Sequence, residues 1–390
     1  MKTVWLLGLL AGAAAAQAQV PASAIDYAAD ARALDQRVID NYAYQDHWPG
    51  GRLPDSPVLA AERAAVHDRD SLLHYAENRI ASLADHHAIT GSSFKDSWAV
   101  VPTYADLWIV RRGDRYVVDA VKSGSPAAEA GIVKGDGVTA IADMPTVQAV
   151  AGFWQALGLD VTPERADYAA RVLAAGRRDR PRVLTVAHGG QARTVTLPSL
   201  YTIHLDQPPV SVSSGAKAPS RIRINNSLGD PTTIAAFDAA MATIAPDNPV
   251  IIDLSDTPSG GNTSVARAMM GWFVRAPTSY QVHSLPAEER ETGIARQWIE
   301  QVLPRAGKYH AGKVRVEVGR WTGSMGEGIA IGFRAIGAAV CGGAMAQLRG
   351  AVYDFALPSS GMVVKLPAER LATTDGIPRA AFVARACPGT

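Results

Sequence analysis

The chain has 390 residues, 47% of them hydrophobic, and its 38 basic and 37 acidic side chains leave a formal net charge of +1. This length predicts two or three domains, and the hydrophobic content allows a sizeable buried core. The near-zero charge gives no support to a nucleic-acid groove or an anionic membrane surface as the main partner.

Residues 1–18 have the features of a secretory signal. A lysine precedes an apolar run from about Val4 to Ala16, and Ala16-Gln17-Ala18 forms an A-x-A cleavage site. The run is too short to span a bilayer, and no charged stop follows it, which disfavours a membrane anchor. We therefore expect a signal peptide, an exported periplasmic or secreted mature protein, and no stable membrane insertion after the signal is removed.

Residues 19–98 are expected to form an N-terminal helical region. Apolar residues recur at helical spacing over 23–45, and a second helical stretch covers about 58–84. Between them, HWPGGRLPDSP at 47–57 has the composition of a turn.

Short apolar runs separated by turns begin at about Trp98. The string SGSPAAEAGIVKGDGVTAIADMPT predicts a short helix that ends at Gly131, then a Gly135-Asp136 turn and a strand. RVLTVAHGGQARTVTLP predicts a hairpin. Residues 99–207 resemble a PDZ domain with a helical insert, a domain type that binds extended peptides by strand addition.

After a Pro/Ser/Gly-rich linker predicted at 208–219, residues 220–390 have an α/β pattern. Strands are predicted at RIRIN, PVIIDLS, VRVEV, GAAVCGGA and MVVKLP, and helices at 234–244, TSVARAMMGWFV and SMGEGIAIGFRAIG. Two strand–loop–helix units have glycine-rich loops, TPSGGN and GRWTG. Ligands in such sheets bind beyond the C-terminal ends of the strands, so we expect these loops to lie close together.

The chain has only two cysteines, Cys341 and Cys387. They could pair in an oxidising compartment, or Cys341 could be a buried free thiol in its strand. Neither cysteine has metal-ligand spacing, and the nine histidines include no H-x-x-x-H. No metal and no cofactor is expected.

The stretch TGSMGEG places Ser324 three residues before Glu327. Ser-x-x-Glu is a capping box, so Ser324 could simply begin a helix. Four motifs in order favour a second role: Asp85-His86-His87, the PDZ-like region, IIDLSDTPSGGNTS and VEVGRWTGSMGE. This order resembles the serine peptidase family of the tail-specific (C-terminal processing) proteases, the tricorn core and the interphotoreceptor retinoid-binding protein. The resemblance implies a crotonase/ClpP-like α/β core.

Within that family, the resemblance favours the histidine-based, tricorn-like branch. It implies Ser324 as nucleophile and His87 as general base, with Ala88 where threonine is usual. The tail-specific branch uses a lysine about 25 residues after the serine. Here that region contains only Arg349, whose pKa is too high for a base, and Lys365 comes later.

The resemblance also places the amides that would stabilise an oxyanion. Ser324 at a strand–helix turn would leave the N–H of Met325 free, and the second donor is expected from Gly260 or Gly261. The carboxylate that orients His87 stays open. Asp375, Glu327 and Asp85 are candidates, although Glu327 is also expected to cap the helix. His283 and His310 could replace His87 if the alignment is shifted.

The expected function is an exported serine endopeptidase that hydrolyses polypeptide substrates through an acyl-enzyme on Ser324. Two alternatives remain: a binding protein that kept the fold without the chemistry, and an esterase or amidase for small molecules.

Overall fold

The computed structural model describes residues 25–203, 206–215 and 218–388, so the predicted signal peptide lies outside the described part. The described chain begins with a helical region followed by a short strand. Its elements are α1 (Tyr27–Asn41), α2 (Pro57–Ala65), α3 (Arg69–Ala81) and β1 (Ile89–Thr90). The stretch predicted as one helix over 58–84 is two helices, because Asp68 accepts the N–H of Ser71 and starts α3 afresh.

The next region is an antiparallel sheet with helices packed on it. Its strands are β2 (Leu107–Arg112), β3 (Arg115–Val121), β4 (Gly137–Ile141), β5 (Met144–Pro145), β6 (Arg182–His188) and β7 (Gln191–Leu197). Its helices are α4 (Pro126–Glu129), α5 (Thr146–Gln155) and α6 (Pro163–Ala175). The strand order is β2-β3-β4-β6-β7, with β5 on β4. The predicted helix end at Gly131 has a positive φ of 70°, which glycine adopts without steric cost.

The rest of the described chain forms two further sheets. The strands are β8 (Val210–Gly215), β9 (Ala218–Ile224), β10 (Val250–Asp253), β11 (Thr278–Ser284), β12 (Gln297–Val302), β13 (Val314–Glu317), β14 (Ala339–Cys341), β15 (Ala351–Ala356) and β16 (Val363–Ala372). The helices are α7 (Thr232–Ala242), α8 (Thr263–Met270), α9 (Pro286–Thr292) and α10 (Met325–Ala335).

One of these sheets has the order β14-β13-β10-β9-β8. Strands β9, β10, β13 and β14 run parallel, and β8 pairs antiparallel with β9. All four residues of β10 are buried, as its continuous apolar run predicts for a strand covered on both faces. The helices α7, α8 and α10 contribute Phe237, Met269 and Phe333 to the core around this sheet.

The linker predicted at 208–219 instead contains β8 and the start of β9. In PPVSVSSG the two valines alternate with serines, which is the period of a strand, and the Pro/Ser/Gly composition masked that period. The segment is therefore part of the sheet and pairs with β9 from Val210 to Gly215.

The other sheet is antiparallel, with the order β1-β16-β11-β12 and with β15 also paired to β16. It joins the N-terminal region to the α/β region, because β1 pairs with β16 through Ile89 and Lys365. Strands β11 and β12 come from the polar segment 275–312, for which the sequence predicted no element.

A disulfide joins Cys341 at the end of β14 to Cys387, with an S–S distance of 2.08 Å. This settles the alternative that the sequence left open.

Within residues 25–203, 206–215 and 218–388, we find no helix with the length and apolar character needed to cross a bilayer.

Candidate active site

Ser324 lies at the sharp turn between β13 and α10. Its backbone has φ 51° and ψ −112°, a conformation that is strained for a residue with a side chain and that recurs at functional sites. Glu327 stabilises this turn from the first turn of α10, because its Oε2 accepts the N–H of Ser324 at 3.0 Å. The glutamate therefore acts as the predicted helix cap, while the serine hydroxyl faces the cleft.

The two glycine-rich loops meet at this turn, as the sequence predicted. Thr257 and Thr322 form a parallel bridge between them. The N–H of Gly323 donates to the carbonyl of Thr257 at 3.0 Å, and a Cβ on Gly323 would lie only 2.8 Å from the carbonyl oxygen of Pro258. Glycine at 323 is thus required for the close approach of the loops.

His87 approaches Ser324 from the turn that follows α3. Its Nε2 lies 2.9 Å from the Ser324 Oγ, although the two residues are 237 positions apart in sequence. Asp85 fixes the backbone at this turn by accepting the N–H of His87 at 2.9 Å. Asp85 is itself 4% exposed and accepts the hydroxyl of Tyr42 at 2.8 Å. Neighbouring His86 points away and stacks on Tyr168 with 4.5 Å between ring centroids.

The other ring nitrogen of His87, Nδ1, is hydrogen-bonded to the main-chain carbonyl of Arg349. The loop that carries this carbonyl is held from two sides. Fully buried Glu327 accepts the N–H groups of Gln347 at 2.8 Å and Leu348 at 3.1 Å. Buried Arg379 donates to the carbonyls of residues 348 and 350, at 3.1 and 2.6 Å. The Glu327 carboxylate thus connects the turn at Ser324 to the loop whose carbonyl bonds to the His87 ring.

Burial dominates the electrostatics of the site. It lowers the pKa of His87 to about 4, and the positive charge of Arg379 acts in the same direction. Burial also raises the pKa of Glu327 to about 7, against the hydrogen bonds that favour its charged form. At neutral pH the His87 ring is therefore uncharged, with a lone pair available on one nitrogen.

Backbone amides surround the space next to the Ser324 hydroxyl. Met325 is the first residue of α10, and Gly260 and Gly261 line the same cleft. Within the described residues, the N–H groups of these three residues donate to no protein acceptor. Gly261 packs directly on Met325, since a Cβ at 261 would lie 2.6 Å from the Met325 Cβ. Free amides at a helix N-terminus favour negative charge.

Several residues that the sequence singled out lie elsewhere. Both carboxylate oxygens of Asp375 accept from Arg334 at 2.8 Å, so Asp375 does not orient His87. His310 bonds through Nε2 to the carbonyl of Asn248 at 2.8 Å and is not the partner of Ser324. Glu327 and Asp85 act on main-chain N–H groups rather than on the imidazole.

Sequence reasoning missed Arg379 and the Arg349 carbonyl. A carbonyl is present in every residue, so no residue type signals its role. Arg379 follows the turn TTDGIP, and nothing in that pattern indicates that this arginine is buried, at 3% exposed, beside the site.

Ser324 and His87 open onto a cleft of about 720 Å³. One wall is the face of β11, β12 and β16 that carries Gln281, His283, Glu300 and Glu369, all of which line the cleft. Among the described residues, the one group with potential metal ligands close together is Glu317 with Cys341 and Cys387, whose two sulfurs are bonded to each other.

No family model matches the chain, and no curated protein matches it. Several solved structures do match the chain. A photosystem II D1 C-terminal processing protease matches with a TM-score of 0.55 at 15% identity, over 93% of this chain and 92% of the other. Mature CPAF matches with a TM-score of 0.58 at 13% identity, over 92% and 91%. A putative peptidase from Parabacteroides merdae matches with a TM-score of 0.50 at 11% identity, over 93% and 90%. Across almost its whole length, the chain has the mixed α/β fold of these proteins.

Proposed function

We propose that this protein is a serine peptidase in which Ser324 is the nucleophile and His87 the general base and acid. The observation that carries the proposal is the 2.9 Å contact between His87 Nε2 and the Ser324 Oγ, at a strained strand–helix turn. A serine hydroxyl is a poor nucleophile at neutral pH and needs such a base. The fold shared with a C-terminal processing protease makes a peptide bond the expected target.

The first half of the reaction forms an acyl-enzyme. The Ser324 Oγ bonds to the substrate carbonyl carbon while its proton moves to Nε2 of His87. The carbonyl oxygen becomes an oxyanion, which the N–H of Met325 and the N–H of Gly260 or Gly261 stabilise. The C–N bond then breaks, and His87 gives its proton to the leaving amine. Removal of one oxyanion donor costs about 3–4 kcal/mol of transition-state stabilisation in such sites.

Water completes the cycle. A water molecule transfers a proton to Nε2 of His87 and bonds to the acyl carbon. The second oxyanion collapses, the Ser324 ester bond breaks, and the proton returns to the Ser324 oxygen. Throughout, the Arg349 carbonyl keeps the ring proton on Nδ1, so that the lone pair of Nε2 faces the hydroxyl.

The histidine-based branch suits these residues better than the lysine-based branch. The Lys365 Nζ donates to both carboxylate oxygens of Asp354, at 2.7 and 2.8 Å. The Nε2 of His87, in contrast, lies 2.9 Å from the Ser324 Oγ, and His87 is uncharged at neutral pH.

We further propose that residues 99–207 are a PDZ-like insertion, that residues 220–390 form a crotonase/ClpP-like core, and that the protein is exported. The short helix α4, which is followed by Gly131 with a positive φ, and the β6–β7 hairpin support the insertion. The A-x-A signal and the Cys341–Cys387 disulfide support export, because disulfides persist mainly in oxidising compartments.

The test is a Ser324→Ala variant beside a Ser123→Ala control at an exposed turn. We expect a fluorophosphonate probe to label the wild type and the control but not Ser324→Ala. The wild type and the control should also cleave unfolded casein, and Ser324→Ala should not. Undiminished cleavage by Ser324→Ala would contradict the nucleophile, no labelling of any form would favour a binding protein, and turnover of a nitrophenyl ester without casein cleavage would favour an esterase.

A further inference from the structure

The turn that carries His87 is joined to the loop that carries Arg349 by side chains as well as by the imidazole. Asp85 uses both of its carboxylate oxygens here. Oδ1 accepts the N–H of His87 at 2.9 Å, and Oδ2 accepts the Tyr42 hydroxyl at 2.8 Å. The oxygen of that hydroxyl accepts a hydrogen bond from Arg349 Nη1 at 3.1 Å. Because the Arg349 carbonyl is bonded to Nδ1 of His87, the four residues form a closed ring of hydrogen bonds.

The chemistry of the groups fixes the direction of each hydrogen bond in this ring. A guanidinium has donors only, so the Tyr42 oxygen must accept from Arg349. The Tyr42 proton then points at Asp85, whose carboxylate accepts it together with the N–H of His87. A carbonyl has no proton to give, so Nδ1 of His87 must donate to Arg349. The ring therefore has one consistent arrangement, and it leaves the lone pair of His87 on the nitrogen that faces Ser324.

The side chains of this ring are shielded from water. Tyr42, at the end of α1, is 0% exposed, Asp85 is buried, and the Arg349 side chain is 12% exposed. The Tyr42 ring stacks on Trp48 with 5.4 Å between ring centroids, so packing holds the ring independently of its hydroxyl. A buried polar group that loses its partner is costly, so each member of the ring depends on the next.

The Arg349 guanidinium balances the charge of the ring and is itself held from outside it. Its Nη1 lies 3.9 Å from Asp85 Oδ2, and its Nη2 lies 2.9 Å from Nδ1 of His47 and also donates to Glu164. The positive charge offsets that of Asp85, so the carboxylate affects the position of the imidazole without placing an uncompensated negative charge beside it. Asp85 thus acts on the ring of His87 indirectly, through Tyr42 and Arg349.

On the basis of the peptidase function above, we propose that Tyr42 and the Arg349 side chain are positioning residues for catalysis. They hold the Arg349 carbonyl where it accepts the Nδ1–H of His87, and so keep the other ring nitrogen directed at the Ser324 hydroxyl. Neither Tyr42 nor Arg349 is among the residues that line the cleft. Loss of either side chain should therefore leave substrate binding unchanged and slow the chemical step.

The first test compares Tyr42→Phe with a matched control, Tyr75→Phe. Tyr75 is equally buried, and its hydroxyl likewise donates to a carboxylate, Asp35, and accepts from an arginine, Arg79. These three residues do not line the cleft. Both variants lose the same kind of buried hydroxyl, so urea unfolding should show similar losses of stability. On a peptide that spans a mapped casein cleavage site, only Tyr42→Phe should lower kcat, by about tenfold or more, with KM unchanged.

The tautomer of His87 gives a second readout, which does not depend on turnover. In protein with ¹⁵N-labelled histidine, long-range NMR couplings distinguish protonated from unprotonated ring nitrogens, and the His87 signals are those that His87→Gln lacks. At neutral pH the wild type and Tyr75→Phe should show a protonated Nδ1 and an unprotonated Nε2. In Tyr42→Phe both nitrogens should move towards the averaged signal of an imidazole that exchanges between its two tautomers.

A double variant tests whether Tyr42 and Arg349 act by the same route. Tyr42→Phe with Arg349→Met should lower kcat no further than Arg349→Met alone, and additive losses would overturn the shared route. An unchanged His87 tautomer in Tyr42→Phe, or equal losses of kcat in Tyr42→Phe and Tyr75→Phe, would overturn the positioning role even if Arg349→Met does not fold. If Tyr42→Phe frees the tautomer but the wild type neither reacts with a fluorophosphonate nor cleaves casein, the peptidase function falls and the positioning of His87 stands.

Discussion

The main-chain carbonyl of Arg349 accepts the Nδ1–H of His87, on the side of the ring opposite Ser324. In a Ser-His-Asp triad a carboxylate occupies that position, where it fixes the tautomer and also stabilises the imidazolium. A carbonyl fixes the tautomer but adds no negative charge. In the proposed mechanism His87 is therefore a well-oriented but weak base, in keeping with the pKa of about 4 that burial and Arg379 give to it.

The pH dependence of activity follows from this weak base. His87 must be unprotonated to act, so kcat/KM should fall only as the pH drops through about 4, well below the ordinary histidine value. Because the charge of Arg379 lowers the His87 pKa, Arg379→Met should move this acid limb to higher pH and also lower kcat. An Arg334→Met control at the exposed Asp375 pair should leave the limb in place. A wild-type limb near 6.5, or no shift in Arg379→Met, would contradict the assignment.

Replacement of Glu327 should displace both the proposed nucleophile, Ser324, and the proposed base, His87. In Glu327→Gln an N–H₂ group replaces one carboxylate oxygen. The backbone N–H groups that bond to Glu327 then have one acceptor fewer. We expect kcat to fall about a hundredfold and the free energy of unfolding to fall by about 2 kcal/mol. Steady-state kinetics and urea unfolding measure the two effects, with Glu289→Gln on the exposed side of α9 as control. Unchanged kcat in a folded Glu327→Gln protein would disprove the coupling.

Gly261 should tolerate no side chain. A Cβ there would lie 2.6 Å from the Met325 Cβ and 2.8 Å from the Leu228 Cβ, so Gly261→Ala must push the two glycine-rich loops apart. We expect kcat to fall by about two orders of magnitude, since the oxyanion amides lose their position. At Gly319, in the nucleophile loop, a Cβ meets nothing within 4 Å, so Gly319→Ala should retain activity. Equal activities of the two variants would refute this packing argument.

The Cys341–Cys387 disulfide should contribute substantially to stability. It closes a loop with a sequence separation of 46 residues, for which the chain-entropy model predicts about 4 kcal/mol. Urea unfolding of the wild type should shift by that amount when reductant is added. Without reductant, the double variant Cys341→Ala/Cys387→Ala should be as unstable as the reduced wild type. Added reductant should not change the stability of this variant. If complete reduction left the urea midpoint of the wild type unchanged, the prediction would be contradicted.

Periodicity and glycine position predicted much of the fold. The buried run of β10, the amphipathic pattern of α10 and the turn at Gly131 each depend on neighbours in sequence, and the structure has all three. Strands β11 and β12 were missed because polar residues interrupt their apolar pattern. Tyr280 and Val302 belong to the core, but Gln281 and His283 are buried and Glu300 is half-buried because they pair with one another, and a hydrophobicity pattern does not detect such pairing.

The site was only partly predictable for a related reason. The approach of His87 to Ser324 was expected from the order of the motifs, and the structure brings the two together. The partner of the imidazole was sought among carboxylates, at Asp375 and Asp85. The structure uses a main-chain carbonyl, whose position depends on contacts of Glu327 and Arg379 that are distant in sequence from His87.

Arg379, which supports the loop beside His87, is synthesised near the end of the chain. A growing polypeptide acquires His87 early and Ser324 much later, and Arg379 emerges last of the three. Until Arg379 docks on residues 348–350, the carbonyl that aligns the imidazole lacks one of its two anchors. An incomplete chain thus holds Ser324 and His87 without one of the contacts that align them, so the proposed peptidase activity should appear only after the segment around Arg379 has folded.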